Sequence, residues 1–248
     1  MGAGANIFRP WSVRSWPDGW VVCHVAETGS TNTDVLAALD AGRIAGRTVL
    51  AAGHQTAGRG RLDRRWDAPP GSNLLVTLGF ASDGAPEHPT QRVGLAALTA
   101  CRQLTDHDVA LKWPNDLLIR TPTAPDAKLA GVLAQRSARG SVAVGIGINI
   151  GWAPDEAGRL GDGIEPADVL AALLAAVDSL GGGPQFWEQY RAELATLGNL
   201  VRVELPDGST IEGRAVNVDD DGRLIVDERG TRRTFDVGDV VHLRPAGG

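Results

Sequence analysis

The chain is organised around one loop, which reads Gly53-His54-Gln55-Thr56-Ala57-Gly58-Arg59-Gly60-Arg61-Leu62-Asp63-Arg64-Arg65-Trp66. Apolar runs at residues 48–52 and 74–80 flank this loop and are predicted to be β-strands. Glycine permits positive φ angles and lets backbone N–H groups approach a ligand closely. Arginine is a permanently charged, planar donor suited to carboxylate and phosphate. The stretch is therefore interpreted as a mobile anion-binding loop, and the alternative is a solvated basic turn.

The composition limits the class of protein. With 248 residues, of which 43% are hydrophobic, the chain can form one large domain or two unequal ones. The net charge of −6 disfavours a general nucleic-acid binder, which usually carries a basic surplus. The only cysteines, Cys23 and Cys101, offer no disulfide framework or metal-binding spacing, so a cytoplasmic location is expected. No signal peptide is expected, and the longest apolar stretch, residues 169–177, is too short to cross a membrane.

Apolar patterns predict one α/β body. Further strands are predicted at residues 20–26, 109–113, 128–135 and 141–150. Helices are predicted from Ser30 or Thr31 to Gly42, and at residues 90–104, 166–180 and 185–197. Residues 152–164 are expected to be irregular.

The predicted strand at residues 141–150 has two very different faces. One face carries Val142, Val144, Ile146, Ile148 and Ile150, and the other carries Ala143, Gly145, Gly147 and Asn149. An almost bare face indicates that something packs directly on the backbone. Either a ligand or a neighbouring helix would fit this pattern.

The character of the sequence changes after Gly198. Short alternating runs are separated by turn signals, which predicts a small β-barrel. The predicted domains are therefore residues 1–198 and 199–248. The alternation of apolar and polar residues is interrupted between Ile211 and Val218, so a β-bulge is expected there.

Polar groups cluster at the ends of predicted strands. They lie in the Gly/Arg loop, at residues 112–116, and at Lys128 and Asn149. Residues 30–32 either cap a helix or point hydroxyl and amide groups at a ligand from its N-terminus. The chain has neither a P-loop motif nor a Ser-His-Asp arrangement. Concentrated positive charge suits a reaction that joins two anions, such as a carboxylate and a nucleotide phosphate.

Five segments, in this order along the chain, resemble one family. They are Gly29-Ser30-Thr31-Asn32, residues 55–66, Lys112-Trp113-Pro114-Asn115-Asp116, Lys128-Leu129-Ala130-Gly131-Val132-Leu133, and Gly145-Ile146-Gly147-Ile148-Asn149. The chain resembles a biotin protein ligase (biotin–[acetyl-CoA-carboxylase] ligase) of the short, actinobacterial form without an N-terminal DNA-binding domain. The resemblance implies an α/β (α+β) fold: a mixed-sheet, class II synthetase/SH2-like catalytic domain followed by a small SH3-like β-barrel.

The resemblance also implies a two-step reaction. Biotin and ATP, with Mg²⁺, would form biotinyl-5′-AMP and pyrophosphate. A lysine of a biotin carboxyl carrier domain of an acyl-CoA carboxylase would then attack the mixed anhydride. Neither nucleic acid nor membrane is an expected partner.

Site residues follow from the same resemblance. Those expected to bind biotin are Ser30, Thr31, Asn32, Gln55, Gly58, Arg59, Gly60, Arg61, Lys128 and Gly131. Those expected on the nucleotide side are Arg61, Trp66, Lys112, Asn115, Lys128 and Asn149. Arg61, Lys128 and Asp116 are expected to carry the chemistry, Asp116 as a metal ligand or by orienting the incoming lysine. Trp66 is interpreted as an adenine neighbour or a core residue, and Lys112 as a phosphate contact or a surface residue.

One position departs from the family pattern. Asp63 stands where the family usually has glycine. Aspartate tolerates the left-handed backbone region better than most residues, so the turn can survive, but the carboxylate adds negative charge among arginines. Two alternatives stay open: a lipoate or octanoate ligase of the same superfamily, and a non-catalytic ligase-like binding protein.

Overall fold

Seven strands form one mixed sheet in the computed structural model, which describes residues 7–236 and 238–243. They are β1 (Trp20–Thr28), β2 (Arg47–Gln55), β3 (Leu74–Phe80), β4 (Val109–Lys112), β5 (Asp116–Ile119), β6 (Ala127–Arg136) and β7 (Val142–Ile148). Their order across the sheet is β1-β2-β3-β7-β6-β5-β4. Only β1 and β2 pair in parallel, and the other neighbours are antiparallel. The predicted mixed α/β fold is confirmed.

Helices cover the two faces of this sheet unequally. They are α1 (Thr31–Asp40), α2 (Pro89–Leu104), α3 (Pro166–Ser179) and α4 (Gly183–Ala192). The branched side chains of β7 face the main core, which also contains the buried side chains of α2, α3 and α4. On the opposite face, Val35 and Leu39 of α1 pack with Ala143 of β7 in a second, smaller cluster. Because α1 is short, it covers only part of that face.

The helix predicted at residues 185–197 ends early. It spans Gly183–Ala192, and the next residues instead run beside β4. The N–H of Leu111 donates to the carbonyl of Glu193, and the N–H of Ala195 donates to the carbonyl of Leu111. The edge of β4 therefore supplies hydrogen bonds that replace the last turns of the helix.

The C-terminal residues form a second sheet. Its strands are β8 (Leu200–Glu204), β9 (Thr210–Val218), β10 (Leu224–Glu228), β11 (Thr231–Phe235) and β12 (Asp239–His242). They pair antiparallel in the order β11-β10-β9-β8-β12 around their own buried apolar side chains. The register of β10 against β9 jumps so that Val216 is the extra residue, which confirms the bulge predicted in this run.

Buried contacts join the two sheets. The indole Nε1 of Trp113 donates to the carbonyl oxygen of Gly222 at 2.9 Å, and the backbone N–H of Trp113 donates to Thr196 Oγ1 at 3.0 Å. Trp113 is 1% exposed and Thr196 is fully buried. A buried donor and acceptor that lose each other pay the full cost of desolvation, so these bonds hold the second sheet in a defined position.

Replacing Trp113 by phenylalanine is expected to lower the free energy of unfolding by about 1–3 kcal/mol, because the carbonyl of Gly222 loses its donor. Urea unfolding followed by circular dichroism measures this change. Trp187→Phe is the matched control, because Trp187 is also buried and its indole makes no hydrogen bond to the described residues. Equal losses in the two variants would contradict the role assigned to the Trp113 bond.

Candidate functional site

A pocket of about 430 Å³ opens beside α1, on the sheet face that carries Gly145 and Gly147. All but one of the residues expected at the site line it: Ser30, Thr31, Asn32, Gln55, Arg59, Gly60, Arg61, Trp66, Lys112, Asn115, Asp116, Lys128, Gly131 and Asn149. The exception is Gly58, which lies beneath the carbonyl of Trp66, where a side chain would have no room. The pocket therefore brings all five sequence segments together.

The glycines of β7 are covered by protein side chains. A Cβ at Gly145 would collide with the carboxamide of Asn32, and one at Gly147 would collide with the indole of Trp66. The neighbouring-helix alternative is confirmed at Gly145, because Asn32 belongs to α1. Trp66 covers Gly147, and a ligand on this face stays a prediction. Trp66 is half-buried, and its Nε1 has no hydrogen-bond partner among the described residues.

Buried polar side chains form a network at the α1 end of the pocket. The backbone N–H and the hydroxyl of Thr31 lie 2.8 and 3.0 Å from Gln55 Oε1. Thr77, on β3, places its hydroxyl 2.8 Å from Thr31 Oγ1 and 2.6 Å from Asn32 Oδ1. Sequence reasoning missed Thr77, because one threonine in an apolar strand carries no signal of its own.

Ser30 occupies the N-cap position of α1, but its side chain makes no capping hydrogen bond. Its hydroxyl makes no hydrogen bond to any described residue, and Ser30 lines the pocket. Of the two interpretations of residues 30–32, this geometry favours groups directed at a ligand.

A β-bulge brings Lys128 to the pocket face. Leu117 pairs with Ala130 and Leu118 with Lys128, so Leu129 is an extra residue in β6. Strict alternation would place the Lys128 side chain on the core face together with Ala130, which is fully buried. Because a bulge re-aims neighbouring side chains, the lysine instead turns into the pocket.

Lys128 is held between a carboxylate and an aromatic ring. Its Nζ lies 2.7 Å from Asp116 Oδ1 and 5.7 Å from the centre of the Trp66 ring. Lys112 faces Asp116 across the β4–β5 hairpin. Burial lowers the pKa of Lys112, with a further contribution from the charge of Lys128, while Asp116 opposes this shift. The pocket wall thus carries two ammonium groups around one carboxylate.

The Gly/Arg loop is a small hairpin. The N–H of Gly60 donates to the carbonyl of Arg64, and the N–H of Trp66 donates to the carbonyl of Gly58. A 3-10 turn, Arg61–Asp63, forms the tip. The left-handed residue of this turn is Leu62, with φ 52° and ψ 42°. The turn therefore survives without glycine, although the side chain of Asp63 and its expected effect lie outside the described residues.

Arginines of this hairpin reach the C-terminal sheet. Arg61 Nη1 donates to Asn115 Oδ1 at 3.3 Å and to the carbonyl of Gly238 at 3.2 Å. The carboxylate of Asp239 pairs with Arg64 and lies 3.6 Å from Arg61 Nη1. Sequence reasoning missed Asp239, because nothing in a C-terminal Gly-Asp turn indicates contact with a loop far earlier in the chain.

The expected asparagines are already engaged by the protein. Asn149 donates to the carbonyl of Gly158 at 3.0 Å, and its oxygen accepts from Asn73. Asn115 donates to the carbonyl of Val132 at 2.7 Å. Their polar groups fix the pocket wall, so direct contact with a nucleotide stays a prediction for both.

Within the described ranges, no group of three or more His, Cys, Asp or Glu side chains could hold a metal ion by itself. Mg²⁺ is usually bound by one or two carboxylates together with substrate phosphates. Asp116 fits that requirement in part, because its Oδ1 is buried and pairs with Lys128 without a hydrogen bond of normal geometry.

Comparison with known families identifies the class of protein. The profile of the Biotin/lipoate A/B protein ligase family matches residues 25–152, and that of the biotin protein ligase C-terminal domain matches residues 196–243. The chain therefore belongs to the Biotin/lipoate A/B protein ligase family. The resemblance drawn from the five segments is confirmed.

Individual members of the family resemble this chain over most of its length. The biotin–[acetyl-CoA-carboxylase] ligase of Mycobacterium tuberculosis is 37% identical over 240 residues, covering 89% of this chain and 88% of the relative. The enzyme of that name from Paracoccus denitrificans is 30% identical over 249 residues, covering 87% and 98%. The structure of Aquifex aeolicus biotin protein ligase with biotin and ATP matches in fold, with a TM-score of 0.74 at 24% identity, over 90% of this chain and 99% of that one. No helix in the described ranges is long and apolar enough to span a membrane.

Asp239→Asn is expected to speed tryptic cleavage within the loop, where Arg59, Arg64 and Arg65 are exposed. An ion pair at the surface contributes about 0.2–1 kcal/mol, so the open population and the cleavage rate should rise by a factor of about 1.4 to 5. Glu228→Gln, which removes an ion pair with Arg233 in the β10–β11 hairpin of the same sheet, is the control. Unchanged cleavage of the Asp239 variant would show that this contact does not hold the loop.

Protonation of His242 is expected to weaken the junction between the sheets. Burial, together with the charge of Lys112, lowers the pKa of His242 below its ordinary value of 6.5. Below about pH 6.5 the unfolded chain therefore binds more protons than the folded chain. The contribution of His242 to the free energy of unfolding is fully present above that pH and is lost as the pH falls.

His242→Asn should accordingly lose less stability than the parent when urea unfolding is measured from about pH 7.5 down to about pH 5.5. Thr210→Asn, a change of an exposed and uncharged residue of the second sheet, should follow the parent. The same slope in all three proteins would exclude a contribution from His242.

Proposed function

We propose that this chain is an ATP-dependent biotin protein ligase. It activates biotin as biotinyl-5′-AMP and then transfers the biotinyl group to a lysine of a biotin carboxyl carrier domain of an acyl-CoA carboxylase. The named activity of the relatives supports this assignment. The observation that carries it in this chain is one pocket with a buried hydrogen-bonding end and a strongly cationic end.

The buried end suits the ring of biotin. Ser30, Thr31 and Gln55 present hydroxyl and carboxamide groups, which match the N–H and C=O groups of a cyclic urea. The alkyl chain of octanoate or lipoate would leave these buried groups without partners, and such mismatches are strongly disfavoured. This argument favours biotin over the lipoate or octanoate alternative.

The cationic end suits the reacting anions. In the first step, a carboxylate oxygen of biotin attacks the α-phosphorus of ATP, and pyrophosphate leaves. Both reactants are negative, so Lys128 and Arg61 would offset their repulsion and stabilise the charge that develops on the phosphoryl oxygens. In the second step, the amine of the carrier lysine attacks the acyl carbon, AMP leaves, and the amine releases a proton.

Mg²⁺ would enter with the phosphates of ATP and neutralise part of their charge. Asp116 is the proposed protein ligand to this ion, and the alternative is that it orients the carrier lysine. We further propose that the division at residue 199 separates the catalytic and C-terminal domains, and that the protein acts in the cytoplasm.

Exchange of labelled pyrophosphate into ATP tests the first step. The purified chain with Mg²⁺ should catalyse exchange only when biotin is present. Exchange that depends on lipoate or octanoate would move the chain to the sister activity. The absence of exchange with every acid, in a folded sample, would overturn the proposal.

Lys128→Ala should reduce biotin-dependent exchange by about ten- to a hundredfold, because a hydrogen bond to a charged group contributes about 1.5–3 kcal/mol. The melting temperature should change little, because the Lys128 side chain is 40% exposed. Arg120→Ala, a change of a cation paired with Asp108 outside the pocket, is the control. Near-normal exchange by the Lys128 variant would remove Lys128 from the site.

A further inference from the structure

Thr77 does not line the pocket, yet it lies at the centre of the buried polar network. It is fully buried on β3, and its hydroxyl touches Thr31 Oγ1 at 2.8 Å and Asn32 Oδ1 at 2.6 Å. Thr31 Oγ1 in turn lies 3.0 Å from Gln55 Oε1. Three oxygen–oxygen contacts therefore run in series through two hydroxyl groups.

The orientation of both carboxamides is fixed by neighbouring groups. Asn32 Nδ2 donates to the backbone carbonyl of Leu133 at 3.0 Å, which can only accept, so Oδ1 must face Thr77. Gln55 Oε1 accepts the backbone N–H of Thr31 at 2.8 Å, so this oxygen cannot be exchanged for the amide nitrogen. Neither amide oxygen carries a proton to share.

Two protons must therefore serve three contacts. Thr77 is the only donor to Asn32 Oδ1 among the described residues, so it gives its hydroxyl proton to that oxygen. With its proton committed, Thr77 can only accept from Thr31. The hydroxyl proton of Thr31 then points to the interior, where Thr77 and Gln55 can both accept it. The lone pairs of the Thr31 hydroxyl oxygen stay free to accept a hydrogen bond from a ligand in the pocket.

We propose that Thr77 is a positioning residue that holds the Thr31 hydroxyl as a hydrogen-bond acceptor towards the ligand. A ligand at this wall must therefore present a hydrogen-bond donor such as an N–H group. This inference rests on the proposed function, in which that group is a ureido nitrogen of biotin. It adds a specificity determinant outside the five segments that resemble the family.

Valine at position 77 keeps the shape of threonine but removes both hydroxyl contacts. Thr31 then loses one of its interior acceptors and can turn its proton towards the pocket. Calorimetric titration of the full chain with biotin should show an affinity about tenfold weaker for Thr77→Val, the factor expected for one compromised buried hydrogen bond. Thr77→Ser should restore the affinity to within about twofold, and the affinity for ATP should not change in either variant.

A second comparison separates positioning from general damage, because Thr77→Val also removes the donor to Asn32 and should lower the melting temperature. In a Thr31→Val background the hydroxyl to be oriented is absent, so adding Thr77→Val should weaken biotin binding by less than about twofold. A full tenfold loss in that background, or none in the single variant, would overturn the proposal. Failure of the parent protein to bind biotin would instead overturn the proposed function.

Discussion

The extra residue in β6 is the constraint on which the site depends. Leu129 breaks the alternation of the strand, and Lys128 consequently leaves the core face and enters the pocket. On the core face, its ammonium group would lie among fully buried apolar side chains without a counter-ion, at a cost of several kcal/mol. On the pocket face it meets Asp116, which the β4–β5 hairpin holds opposite. A local irregularity of one strand thus decides where the chain can handle anions.

The surrounding elements complete this pocket from both ends of the chain. Helix α1 covers part of the bare face of β7 with Asn32, and Trp66 covers the next glycine along. The hairpin that carries Trp66 is tied through Arg61 and Arg64 to Asp239 in the second sheet. The second sheet therefore forms part of the wall of the pocket. The order of the loop and the position of the second sheet are therefore coupled through the contacts of Arg61 and Arg64 with Asp239.

The features that could be predicted from the sequence are those carried by a local pattern of residues. Alternation identified the two faces of β7, and glycine with arginine identified the loop, because both signals are local. Alternation alone turns Lys128 towards the core, since a bulge depends on the pairing of two strands, and only the family resemblance predicted its place in the pocket. Asp239 and Thr77 act through contacts between distant segments, so their neighbours in sequence carry no trace of the role. Helix α4 ends at Ala192, before the predicted end at residue 197, because β4 competes for the backbone groups that follow.

The lysine side chains of this protein all lie in the pocket. Lys112 and Lys128 are its only lysines, and both line the pocket. Every other side-chain cation that is permanently charged is an arginine, whose guanidinium stays protonated and is a poor nucleophile. Apart from the terminal amino group, an activated acyl compound released into solution would therefore find no lysine on the outer surface of this protein to attack. An amine-directed label would accordingly report on the interior of the pocket and, apart from the terminal amino group, leave the rest of the molecule unmarked.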